Sequence, residues 1–251
     1  MEFTDLIPIL ILIGVGSIAG FINVNAGGGS SLTLPTLLFL GLDAAVANGT
    51  NRIAILIQNV SAIYSFKREN YRQFRTSLKL SALTLPGSIA GAVLAVEVSN
   101  ELFETILGAI MIGIIITMII PRKSIQYDDL FDGKVSLKVY IAMFGIGFYG
   151  GFIQVGVGFL LMAALHYLMK LNLVYVNMHK VFIVLVYTVP ALLVFILTNN
   201  IHWLYGFSLA AGNAVGGWWG AKMSVRKGEK FIKIVLILAV GIMSLKLLHV
   251  F

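Results

Sequence analysis

The stretch Phe21–Pro35, FINVNAGGGSSLTLP, interrupts an apolar run that begins at Leu6. Three consecutive glycines weaken any helix they occupy, and Pro35 removes a further backbone donor. In a polar loop this would be unremarkable in the plain sense, but the surroundings here are apolar. Non-helical backbone at membrane depth persists only where protein buries it or where it lines a watery cavity. The reading of this stretch therefore decides the fold.

The surroundings support membrane depth. Of the 251 residues, 59% are hydrophobic and 12% charged, against about 25% charged in an ordinary soluble domain. Apolar runs long enough to cross a bilayer recur at Leu6–Phe21, Leu80–Val96, Leu102–Ile120, Val139–Val157, Val181–Thr198 and Ile232–Leu248. Continuous runs exclude the alternating pattern of a β-barrel. The absence of cysteine excludes disulfides and thiolate metal sites. The net charge of +7 reads as basic loops on one side of the membrane rather than as a nucleic-acid surface.

The chain repeats itself. Gly20-Phe-Ile-Asn-Val returns as Gly151-Phe-Ile-Gln-Val, and PGSIAGAVLA from Pro86 has a counterpart in GNAVGGWWGA from Gly212. Two halves follow, 1–120 and 135–251, joined by a cytoplasmic linker at 121–134. Each half reads as an apolar span, a glycine break with a short apolar piece (Ser31–Leu40 in the first), and three further spans. The segments Lys67–Lys79 and Lys222–Lys233 each hold five Lys/Arg, which places both in the cytoplasm. That is consistent only with halves of opposite orientation, leaving Glu2, Asp5, Asp43, Glu97, Glu101 and Glu104 outside. The expected fold is thus an all-α polytopic membrane protein of two inverted-topology repeats, about five hydrophobic segments each, with glycine-broken or re-entrant segments near the midplane.

Inverted repeats broken at matching positions point to a transporter's binding site. The helix N-terminus after the first break favours an anion, with Asn25, Ser30, Ser31 and Thr33 adding polar groups. The triplet Gly27, Gly28 and Gly29 cannot share one helix face and reads as site-forming backbone. Gly16/Gly20, Gly87/Gly91 and Gly212/Gly216 read instead as small-residue packing seams. Arg52 and Lys180 precede long apolar runs at nearly matching repeat positions, and an ionisable residue inside the membrane is a functional candidate by default. The Arg52 guanidinium can hold two oxygens of a sulfonate, sulfite or carboxylate at once, and snorkelling at a helix end is the competing reading for Lys180. Asn51 stands beside Arg52, and Gln154 offers an amide at the second break. His179, beside Lys180, is the candidate for carrying a coupling proton. His166 reads as structural, and His202 and His249 as interfacial residues. No pair of histidines has metal-ligand spacing, and HExxH, Walker and GxSxG motifs are missing from the sequence.

These residues resemble a known family. AGFINVNAGGGSSLTLPTLLFLGLDAAVANGTNRIA is similar to the first signature of the TauE/SafE family of sulfite and organosulfonate exporters. VYVNMHKVFIVL and AGNAVGGWWGAKM resemble the family's second copy, so the likeness spans essentially the whole chain. It implies a multi-helix inner-membrane carrier that moves small sulfur-containing anions, commonly outward. By position, Gly27–Gly29, Asn51, Arg52 and Lys180 fall on family motif residues. Asn25 and His179 depart from the usual pattern.

The expected function is secondary transport of such an anion by alternating access, with Arg52, Lys180, Gln154 and the broken backbone binding it. Transport of another small anion, or an anion channel, is the alternative within transport. A channel needs a continuous polar lining, and few polar residues lie in the spans. A membrane-embedded enzyme is the alternative of another class; it needs a nucleophile–base pair or a metal set. The expected partners are a small anionic substrate and the lipid bilayer, with no nucleic acid, no cofactor and no metal; a homodimer is compatible with the sequence.

Overall fold

The computed structural model describes residues 3–119 and 137–247. Glu2, the linker at 121–134 and His249 lie outside the described residues. Every element among the described residues is helical. In the first half α1 (Phe3–Asn25) ends at the glycine break, α2 (Ser30–Phe39) follows it, and α3 (Ala44–Arg68), α4 (Phe74–Glu97) and α5 (Asn100–Ile119) complete the set. In the second half α6 (Leu137–Phe152) ends at the second break, and α7 (Val157–Ala163) runs on into a π-helical turn, Ala164–Leu168. Then come α8 (Leu173–Leu197) and α9 (Trp203–Leu247). Gly228, with φ 67° and ψ −165°, divides α9 into two helical stretches.

The breaks and caps follow from local chemistry. Gly27 has φ 88°, a left-handed conformation that glycine adopts without steric cost. Helix α2 has 10 residues, about 15 Å at 1.5 Å per residue, close to the short piece expected at Ser31–Leu40. Asn172 starts α8 by accepting from the backbone N–H groups of Val174 and Tyr175, the ordinary use of asparagine at an N-cap.

Large apolar side chains lie on the surface, and polar and charged ones are buried beside an apolar core. Ile7, Leu10, Leu193, Phe207 and Val215 are exposed, whereas Asn48, Arg52, Gln58, Lys180 and Asn213 are buried. By length and composition α1 (from Leu6), α4 and α8 are suited to cross a bilayer. This is a membrane protein.

Close helix packing rests on small residues. Gly16 and Gly20 lie against Leu209 and Asn213, while Gly212 and Gly216 face Ile13 and Ser17. A Cβ added at Gly20 would sit 2.6 Å from the Asn213 carbonyl oxygen, so the two backbones are in contact. Gly87 and Gly91 form the same kind of seam with Phe144 and Phe148 of α6. The expected packing role of these pairs is what the structure shows.

The same contacts give the directions. α1 runs parallel to the first stretch of α9, since Gly16 meets Leu209 and Gly20 meets Gly217. α4 runs parallel to α6, Gly87 meeting Phe144 and Gly91 meeting Phe152. α3 and α8 run antiparallel: Gly49 packs on Phe195, and further along Asn59 shares a cavity with Lys180. At one end Glu69 pairs with Arg226 at 3.3 Å, joining the two basic segments. At the other, the Asn100 amide donates to Asp43 at 3.0 Å, and the His202 N–H donates to Thr50 Oγ1 at 2.9 Å.

Candidate functional site

The two breaks cross each other. A Cβ on Gly27 would meet the backbone of Gly158, 2.7 Å from its Cα, and a Cβ on Gly28 would lie 2.7 Å from the Phe159 ring. Gly29 is pressed against Ala19 and Asn23. The glycine triplet therefore lets the broken segments of the two halves touch.

Breaking a helix inside the protein strands its last carbonyls, which need donors. Each half supplies one to the other. Lys180 of α8 donates through Nζ to the carbonyls of Asn23 (3.0 Å) and Val24 (2.7 Å), and to Asn177 Oδ1 (2.9 Å). Arg52 of α3 donates through Nη1 to the Gly150 carbonyl at 3.1 Å and through Nη2 to the Gly151 carbonyl. Asn48 accepts from Arg52 at 3.3 Å and donates to the Phe152 carbonyl at 2.7 Å. The Arg52 guanidinium also lies over the Phe195 ring, 4.7 Å from its centroid. A cation at a helix C-terminus complements the helix dipole as well as its free carbonyls. The two basic residues singled out at matching positions thus cap α6 and α1 in turn.

Beside the Lys180 cap is a small cavity whose polar wall is Asn23, Ser30, Gln58, Asn59, Gln154 and Lys180. Val157, Gly158, Val181 and Val184 supply the apolar part. It lies where the first break, the second break, α3 and α8 meet. Among the described residues that line it, Lys180 carries the one charge.

The predicted residues divide between this wall and its surroundings. Ser30, Gln154 and Lys180 face the cavity. Asn25 points instead to α9, donating to the carbonyls of Phe21 at 3.0 Å and Gly220 at 3.3 Å. Asn51 accepts from Thr33 at 2.7 Å and ties α2 to α3, while the Ser31 hydroxyl donates to the Gly28 carbonyl at 2.6 Å. Arg52 sits at the α6 terminus, away from the cavity wall. His179 faces α4, its Nδ1 2.8 Å from Ser77 Oγ. His166 is held 2.8 Å from the Leu171 carbonyl, as a structural histidine would be. Among the described residues no group of three acidic, histidine or cysteine side chains could hold a metal.

Sequence reasoning passed over Asn23, Gln58 and Asn59. Signals for all three were present. Asn23 stands in GFINV where Gln154 stands in GFIQV, and Gln58-Asn59 is an adjacent amide pair inside the apolar course of α3.

The chain is 29% identical to the "Probable membrane transporter protein YfcA" of Escherichia coli K12, over 95% of this chain and 89% of that protein. A "Probable membrane transporter protein" of Haemophilus influenzae is 28% identical, covering 98% and 95%. The "Probable membrane transporter protein YunE" of Bacillus subtilis is 24% identical, covering 91% and 94%. No solved structure matches. The family model described as "Sulfite exporter TauE/SafE" matches residues 12–247, and with its broken, cross-capped helices this chain belongs to that family of membrane transporters.

Proposed function

We propose that the protein is a secondary transporter of a small anion, sulfite or a short organosulfonate, working by alternating access at the cell's inner membrane. The observation that carries this reading is the buried Lys180 ammonium on the wall of a small cavity, beside amide and hydroxyl side chains, at two touching helix breaks. A broken helix facing a polar site is the arrangement by which carriers bind substrate at the midplane, and an ammonium in a desolvated site favours a negative ligand. The family's name supplies sulfite as the first substrate to test.

The halves 1–120 and 135–251 are inverted repeats in this reading, joined by a cytoplasmic linker at 121–134. The antiparallel course of α3 and α8 and the meeting of both basic segments at one end support it. Lys180, Gln154 and Ser30 bind the anion, and Arg52 holds the opposite break in register. Rocking of one half against the other exposes the cavity to each side in turn. The small substrate and the bilayer are the partners that this mechanism needs.

Thermal melting of the detergent-purified protein tests the site, using sulfite, sulfoacetate, acetate, phosphate and chloride. A ligand that binds only the folded state raises apparent stability as its concentration passes its Kd. A selective rise with sulfite or sulfoacetate is expected, and Lys180→Gln should abolish it. A selective rise that survives intact in folded Lys180→Gln contradicts the assignment of the site.

A further inference from the structure

We propose that Gln58 is a ligand-binding residue whose amide is held with its NH2 group towards the substrate, so that the site reads hydrogen-bond acceptors on the anion. The inference rests on the transporter reading above and adds to it the group that gives the bound anion direction.

Lys180 supplies charge but little directionality. An ammonium has three donors, and those of Lys180 have three acceptors already: the carbonyls of Asn23 and Val24 and the Asn177 side chain. A directional donor must come from elsewhere on the wall.

The orientation of Gln58 follows from a backbone group that cannot turn. The Gly29 N–H, freed by the helix break, donates to Asn23 Oδ1 at 3.3 Å. That fixes the Asn23 amide, because the reverse orientation would set NH2 against N–H. Asn23 Nδ2 then donates to Gln58 Oε1 at 3.1 Å. Gln58 must therefore present its oxygen to Asn23, which leaves Nε2 as the free end. Gln58 is 1% exposed and lines the cavity, yet Nε2 has no partner among the described residues. A buried, unpaired donor is costly, and an anion's oxygen beside Lys180 would satisfy it.

Two contrasts strengthen the assignment. Gln154 also has an amide atom without a partner among the described residues, but its NH2 group donates to the Thr188 hydroxyl at 3.3 Å. A hydroxyl both donates and accepts, so the Gln154 amide can turn either way and imposes no choice. Behind Gln58 stands Gly217: a Cβ added there would lie 2.7 Å from Gln58 Cγ. The backbone of α9 thus limits retreat of the Gln58 side chain from the cavity.

The test measures the Kd of the anion that stabilises the wild type, in the purified full chain, for Gln58→Met, Gln58→Asn and Lys180→Gln. Gln58→Met keeps size and neutrality but removes the donor, and binding should weaken about 10-fold or more. Gln58→Asn withdraws the donor by one methylene and should weaken binding about threefold or more. It decides the matter if Gln58→Met does not fold, as judged by ligand-free melting. Wild-type affinity in a folded Gln58 variant overturns the Gln58 assignment while leaving the Lys180 site standing, provided Lys180→Gln loses binding. A wild type that binds none of the anions tested overturns both readings.

Discussion

Arg52 and Lys180 show how a single side chain can hold a membrane fold together. Each is a cation inside an apolar region, an expensive placement, and each is stabilised by helix-end carbonyls from the other half. Truncating Arg52 would leave the carbonyls of Gly150 and Gly151 buried without that donor. At about 1–3 kcal/mol for each unsatisfied group, Arg52→Ala should lower stability by roughly 3 kcal/mol. Arg52→Lys, which keeps a donor but not the fork, should lose less. Melting temperatures in detergent check both, and an unchanged midpoint for Arg52→Ala would show that the cap contributes nothing. The sequence marked these two residues as important because charge among apolar residues is conspicuous. It left their division of labour hidden, since which carbonyls a cation meets depends on contacts 98 and 157 residues apart.

Among the helices, the sequence was most informative where the backbone itself must be unusual. The triplet Gly27–Gly29 announced a break, and the structure has one between α1 and α2. The short second segment was legible from the same signals, and the seams at Gly16/Gly20 and Gly87/Gly91 from their four-residue spacing. The destination of the triplet was not legible, because close packing on Gly158 and Phe159 is a property of two segments together. Helix directions lead to a topological prediction. Single cysteines at exposed Gln73 and Lys227 should both be labelled from the cytoplasm by an impermeant reagent. Cysteines at Glu101 and Asn199, exposed near the other end, should be labelled only from outside. Labelling of Gln73 and Lys227 positions from opposite sides would mean that the halves are not inverted.

For the molecule as a whole, composition sufficed for the class: with 59% hydrophobic residues and few charges, large apolar side chains are left on the surface as well as in the core. The position of the cavity was harder to read. Arg52 drew attention by its charge, whereas the wall beside Lys180 is built largely from amides, Asn23, Gln58, Asn59 and Gln154. Neutral amides carry a weak signal in a sequence, and their value depends on which atom each turns to the cavity. A carrier built around this wall should saturate and exchange, unlike a channel. The measurement that tests this most directly is sulfite counterflow in proteoliposomes, comparing the wild type with Lys180→Gln. Saturable uptake driven by internal sulfite, and lost in a folded Lys180→Gln variant, is the predicted result. Flux that rises without saturation, or that is unchanged in Lys180→Gln, would contradict a carrier acting at this cavity.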